Sequence, residues 1–296
     1  MIESFSLDWL RLREPHDLRA RSRALARQFC SAVRARAGRE IASVIDLGAG
    51  SGANFRALAP LVAGDQEWRL VDQDRTLLAH QSAEIAQWAR GQGWRVTHGS
   101  GVVTVATGTA HWRAHSVALD LAHELAEVLL AVHGVACAAL LDLVSAPWLE
   151  ALADRVAATR APFLAALSVD GRRDWQPPHF DDAPVARAFA RHQRGDKGFG
   201  PALGPDAAAM GQRLFRERGY RVTTAAGEWR LGAGDDAVLA ALIDGTAEAA
   251  GEAEPALALA RWRGDRHAER QRGGLRLAIG HVDILAEPDE SPAART

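Results

Sequence analysis

The chain has 296 residues, 48% of them hydrophobic, which is enough to bury a large core in one elaborated α/β domain. A formal net charge of −2 leaves no basic footprint for a nucleic-acid duplex held through its phosphates, so no such partner is expected. Only Cys30 and Cys137 are present, far apart and without metal or redox spacing, and no apolar run is long enough to span a membrane; the expectation is a soluble, cytoplasmic protein with no disulfide framework.

Residues 1–40 read as a helical lead-in packed on the domain that follows. Ser6 to Leu12 form an amphipathic opening, and Glu14-Pro15-His16-Asp17 supply helix-start chemistry ahead of one long helix to about Ala37. Leu18, Leu25, Phe29, Ala32 and Val33 recur at helical spacing with the small Ser22 on their stripe. Arg19, Arg21 and Arg23 lie off most of that stripe and read as a solvated face or, alternatively, as contacts to the cofactor or substrate.

The organising stretch is Val44-Ile45-Asp46-Leu47-Gly48-Ala49-Gly50-Ser51-Gly52-Ala53-Asn54-Phe55. An apolar run stops at three glycines and a helical pattern begins, which predicts strand, tight turn and helix. Glycine suits the turn because positive φ is needed there and because a ligand can approach the main chain closely. Gly48, Gly50 and Ala53 satisfy the G-x-G-x-x-G/A dinucleotide fingerprint. Asp46 at the strand mouth and a third glycine at Gly52 point elsewhere, since a carboxylate repels a pyrophosphate and attracts an ammonium and a sulfonium. This stretch resembles motif I of the class I S-adenosylmethionine-dependent methyltransferases. The resemblance implies a Rossmann-like three-layer α/β sandwich with a mostly parallel seven-stranded sheet. It also implies S-adenosylmethionine as cofactor, held by Asp46, Gly48, Ala49, Gly50, Gly52 and Asn54, with helix-start amides facing it.

Asn54 to Leu61 form the first crossover helix, and Trp68 to Val71 a second strand ending at Asp72. An acid about twenty residues beyond the glycines is placed to accept the ribose hydroxyls, so Asp72 with Gln73 joins the cofactor set, and Asp74 is the second choice or a helix cap. Leu77 to Ala89 is helical. Trp94 to Val96 and Val102 to Ala106 read as an inserted ribbon, and His111 to Leu119 as the third parallel strand. Asp120 falls where the resemblance implies a polar group against adenine, and equally where a cap for a helix over His123 to Val132 belongs.

Val135 to Ala139 is the fourth strand. The segment Leu140 to Leu149 occupies the motif IV region but carries neither the [DN]-P-P-[FYW] sequence nor the Pro-Cys pair of nucleic-acid methylases. Asp142 faces the acceptor there or serves a turn, and Ser145 with Pro147 starts a helix. Pro162 to Val169 is the fifth strand. Residues 172–205 then form a connection too long for an ordinary loop, read as a substrate lid. Its candidates are His179 as the base, then Asp181, His192 and Asp196; Lys197 or Arg194 for an anionic group; Trp175 and Phe199 for an apolar acceptor. Adjacent acids at Asp181 and Asp182 do not converge easily on one ion, so no metal is expected.

Asp206 to Arg218 is a helix, Tyr220 to Thr224 and Glu228 to Leu231 are strand pieces about a turn at Gly227, and two alanine-rich helices follow as a C-terminal insertion. Leu275 to Ala286 is the last strand, which the resemblance places antiparallel beside the fifth and sixth. Residues 41–286 thus make up the cofactor-binding domain, and residues 287–296 read as a disordered tail. The expected activity is in-line methyl transfer to oxygen or nitrogen of a small molecule. A cofactor-binding scaffold with no working acceptor site is the alternative, and a nicotinamide oxidoreductase is a further one.

Overall fold

Val44 to Leu47 are buried on both faces, as a central parallel strand requires. Val44 packs with Phe29 and Phe55 on one side, while Ile45 and Leu47 pack with Leu149 and Phe163 on the other. A computed structural model describes residues 6–128 and 132–289. In chain order, α1 (Leu7–Ala20) and α2 (Arg23–Ala37) precede β1 (Ala42–Leu47), α3 (Ala53–Leu58), β2 (Gln66–Asp72) and α4 (Arg75–Gly91). A ribbon of β3 (Arg95–Gly99) and β4 (Val102–Ala106) leads to β5 (His111–Ala118), α5 (Leu121–Val128), β6 (Gly134–Ala138), α6 (Ala146–Thr159) and β7 (Phe163–Gln176). Then come α7 (Asp182–Gln193), α8 (Ala207–Glu217), β8 (Tyr220–Leu231), α9 (Asp236–Ala253), α10 (Leu259–Gln271) and β9 (Arg276–Pro288).

The described strands form one nine-stranded mixed sheet in the order β3-β4-β5-β2-β1-β6-β7-β9-β8, so the seven-stranded, mostly parallel expectation is corrected. The inserted ribbon joins the sheet itself: β4 pairs antiparallel with β5, and β3 with β4. Trp88, Trp94 and Trp112 pack together over this edge, with Trp94 and Trp112 ring centroids 5.0 Å apart. β5, β2, β1, β6 and β7 are parallel, and β9 enters antiparallel between β7 and β8. Strand order reverses at β1, where open parallel sheets place their ligand crevice at the carboxyl ends.

Several local expectations are corrected. Glu14-Pro15-His16-Asp17 do not start a helix but lie inside α1, which tolerates Pro15; the break comes at Arg21-Ser22. Ser22 caps α2 with its hydroxyl and donates its own amide to the buried Asp283 carboxylate at 2.7 Å. Arg172 to Gln176, expected in the lid, belong to β7, whose register shifts between Ala165 and Ser168 and between Val169 and Arg173 interrupt the alternation. Gly227 is no turn. It sits within the continuous β8, where a Cβ would lie 2.2 Å from the Ala20 carbonyl oxygen at the end of α1. Glu287 and Pro288 belong to β9, and residues 290–296 lie outside the described ones, as do residues 129–131 of the helix expected over His123 to Val132.

Candidate functional site

At the carboxyl ends of β1, β2, β6 and β7 lie two adjoining chambers. The first, about 400 Å³, is floored by Gly48, Ala49, Gly50 and Asn54, walled by Asp72, Gln73 and Asp74, and closed by Phe199. Its roof is α1, through Leu10, Arg13, Glu14, Asp17 and Leu18, together with Arg21. The second, about 310 Å³, reaches from Ala139 and Leu143 to α7 and α9. Arg13, Ala139, Leu143, Leu167 and Lys197 line both.

The glycine turn is as tight as its sequence demands, with φ of +64° at Gly48, +50° at Gly50 and +82° at Gly52. Three of its amides, however, are spent on the protein. Ala49 donates to the Val71 carbonyl at 2.9 Å, Gly50 to Asp72 Oδ2 at 2.8 Å and Gly52 to the Ala49 carbonyl at 2.8 Å. These three turn amides are therefore not available to a ligand. A phosphate-cradling turn needs such amides free, so the arrangement disfavours a pyrophosphate. From α4, Gln81 Nε2 donates to the Gly50 carbonyl at 2.9 Å and braces the turn from behind.

Asp46 is wholly buried and stands one layer beneath the cleft, outside its lining. Its Oδ1 accepts Asn54 Nδ2 at 2.7 Å, and Asn54 Oδ1 accepts Arg21 Nη1 at 2.6 Å. Burial pushes the Asp46 carboxyl up to about 7 against the opposing pull of Asn54 and Arg21, and its Oδ2 has no hydrogen-bond partner. Arg21, read from the sequence as solvated or as a cofactor or substrate contact, is half-buried in the cleft lining, and its buried Nε is without a partner. Burial lowers its pKa while Asp283 and Asp17 oppose the shift.

The acids that do line the first chamber are Glu14, Asp17, Asp72 and Asp74. Burial raises the Asp72 pKa against the amides of Asp74 and Gly50, which hold one oxygen each. Each carboxylate oxygen keeps a lone pair for a hydroxyl donor. Asp74 caps α4 through the Thr76 and Leu77 amides. Gly52 packs beneath Ile85 and Gln81 instead of lining the cleft. Asp120 also stands outside it: its two oxygens take the Ala122 amide and His123 Nδ1, the capping alternative.

Of the acceptor candidates, Asp142, His192 and Lys197 line the second chamber and Phe199 the first. Phe199 packs edge-on against Trp148 at 5.2 Å, on a turn that Asp196 holds by accepting the Gly198 and Gly200 amides. Two candidates are corrected. Trp175 is buried against Trp262 at 5.5 Å and lines neither chamber. His179 lines neither as well: its Nε2 meets Asp265 at 3.1 Å and its Nδ1 accepts the Asp181 amide, so this ring is occupied in fixing the start of α7. Asp182 is turned to Arg266 and Trp262.

Sequence reasoning missed the roof. α1 is fastened by Arg56 Nε to Glu14 at 2.8 Å, Arg11 Nη2 to Glu84 at 2.6 Å and Trp229 Nε1 to Asp17 at 3.1 Å. It also missed Arg173, and the positive φ of Ala139 (+50°) and Leu167 (+62°) where the chambers meet. The signal for the roof was Ser22, a cap residue in the middle of a presumed continuous helix.

No family model and no curated protein matches the chain. It is similar to solved structures, among them a cyclopropane synthase from Mycobacterium tuberculosis, at 11% identity over 96% of this chain and 95% of that one, TM-score 0.47. Another is an S-adenosylmethionine-dependent methyltransferase from Thiobacillus denitrificans in complex with S-adenosylhomocysteine, at 17% identity over 96% and 100%, TM-score 0.41. A third is a precorrin-6y methyltransferase from Geobacter metallireducens, at 11% identity over 90% and 88%, TM-score 0.43. Several of the solved structures similar to this chain are methyltransferases by name, without a common substrate among them.

Proposed function

We propose that the protein is an S-adenosylmethionine-dependent methyltransferase that methylates a small molecule on oxygen or nitrogen. The observation that carries this reading is the pair of chambers sharing Ala139, Leu143 and Leu167, one suited to a methyl donor and the other to an acceptor. What supports the first chamber as the donor site is Asp72 and Asp74 on its wall, with Glu14 and Asp17 already paired to Arg56 and Arg13, the engaged amides of Ala49, Gly50 and Gly52, and the unpartnered Nε of Arg21, which suits the carboxylate of an amino-acid tail. Asp72 is the residue for the ribose hydroxyls, with Gln73 beside it.

When bound, the cofactor supplies a methyl group already activated on a sulfonium. The chain's task is alignment and exclusion of water: α1 and Phe199 cover the donor chamber, and the shared wall brings an acceptor atom toward its neighbour. Where an acceptor hydroxyl must lose a proton, His192 is the histidine lining the second chamber; its Nε2 faces Glu252 at 3.1 Å and its Nδ1 lies 3.4 Å from Lys197 Nζ. The test is calorimetry with S-adenosylmethionine, S-adenosylhomocysteine and NAD, followed by a screen of cell extract with methyl-labelled cofactor. Binding of the first two only, and label in small molecules, is expected. Tight NAD binding without the others refutes the donor, and label confined to protein or RNA refutes the acceptor class. Donor binding with no label anywhere favours the scaffold alternative.

A further inference from the structure

The second chamber contains a half-buried cation with no carboxylate paired to it among the described residues. Arg173 resumes β7 after its second register shift, opposite Ile279, and its guanidinium lies 4.3 Å from the centre of the Phe189 ring on α7. Its Nε is buried without a hydrogen-bond partner, and among the described residues no carboxylate pairs with it. The adjacent Arg172 is the one that pairs with Asp170 and Glu228. The fully buried arginines, Arg56 and Arg266, hold Glu14 and Asp182, whereas Arg173, like Arg21 in the first chamber, has a buried Nε and no ion pair among the described residues. Burial lowers the Arg173 pKa to about 10, which leaves it charged at neutral pH. A desolvated, unpaired guanidinium is costly in a folded protein, and its place is explained when a ligand supplies the missing charge.

From this we infer that the second chamber takes a small apolar carboxylic acid, whose carboxylate is gripped by Arg173; that occupant is the methyl acceptor, a step which rests on the donor reading above. The planar fork of a guanidinium matches a carboxylate in two parallel hydrogen bonds, and Phe189 holds the fork in one plane. The remaining wall is largely apolar, with Leu143, Leu167, Val169 and Leu242, so a ring or short hydrocarbon body fits behind the charged end. Of the cations on this wall, Arg13 is paired with Asp17, and Asp142 lies beside Arg173 and Lys197 on the same lining, which suits a monoanion better than a phosphate dianion.

The experiment is calorimetry on the full chain, with and without S-adenosylhomocysteine, using matched probes: 4-hydroxybenzoate, 4-hydroxybenzamide and phenyl phosphate. The carboxylate is expected to bind about tenfold or more tightly than its amide, and Arg173→Met to abolish that preference while leaving S-adenosylhomocysteine affinity unchanged. Arg173→Met removes an unpaired, half-buried charge, so its melting temperature should equal or exceed that of the native protein. Arg173→Lys, which keeps the charge without the fork, should retain only part of the preference. Equal binding of acid and amide overturns the inference, as does a preference that survives in Arg173→Met or tighter binding of the phosphate. Failure of S-adenosylhomocysteine to bind counts against the donor reading alone, because the acid-to-amide ratio is also read in its absence.

Discussion

Asp72, at the end of β2, accepts the Gly50 amide at 2.8 Å through Oδ2 and the Asp74 amide at 2.9 Å through Oδ1, so one carboxylate ties the glycine turn to the start of α4. Asp72→Ala removes this tie together with the group proposed for the ribose. S-adenosylhomocysteine binding should weaken by about 1.5–3 kcal/mol, roughly tenfold or more, in calorimetry. Unchanged affinity in this variant alongside loss in Asp74→Ala would move the ribose role two positions along.

Arg21 joins Asn54 to the cleft and keeps one buried nitrogen unpartnered. If it receives the carboxylate of the cofactor's amino-acid tail, Arg21→Met should weaken S-adenosylhomocysteine binding by about tenfold or more. Binding of 5′-methylthioadenosine, which lacks that tail, should hardly change. Equal losses for the two ligands would point to collapse of the roof.

Asp46 gives a pH signature. Burial lifts its carboxyl from the ordinary aspartate value of 3.8 to about 7 in the folded protein. The folded protein holds this proton where the unfolded chain has released it, so stability falls as pH rises from about 4 to 7, and the deficit is constant above that. Asp46→Asn can still accept from Asn54 and carries no charge. Its stability in denaturant melts should exceed the native one by more at pH 8 than at pH 5, with a ceiling of about 4 kcal/mol. A gap that shrinks with rising pH contradicts the buried-acid account.

The two histidines of the long connection should separate cleanly in a turnover assay. His179 serves the base of α7 and should tolerate Ala with turnover changed by less than about threefold. His192→Ala should lower turnover by about a hundredfold if the acceptor must lose a proton, with S-adenosylhomocysteine affinity unchanged. The reverse order would restore His179 to the chemistry.

Ala139 holds φ of +50° at the junction of the chambers, a conformation that strains any residue with a Cβ. Ala139→Gly should raise stability by up to about 1 kcal/mol in denaturant melts. A destabilised variant would mean that the methyl contact outweighs the backbone strain.

The sequence made β1, the glycine turn and the end of β2 legible because each is a local pattern: an apolar run, residues that allow positive φ, and an acid at a fixed distance. What escaped was set by distant contacts. The roof of the cleft was hidden because α1 is fixed by Arg11 to Glu84 and Arg56 to Glu14, pairs that no periodicity announces. The far half of β7 was hidden because two register shifts break the alternation that marks a strand. Gly227 was misread for a related reason: it makes room for the end of α1 against β8, and in one dimension such a glycine looks like a turn. Arg173 carries no motif at all, and its interest lies in what is missing around it.

The engaged amides of Ala49, Gly50 and Gly52 also bear on inhibitor design. Compounds built on nucleotide diphosphates, the common scaffold for glycine-rich turns, would bring their phosphates to donors already occupied and to a wall of Glu14, Asp17, Asp72 and Asp74. An adenosine carrying a cationic amine in place of those phosphates meets the same wall as an attraction.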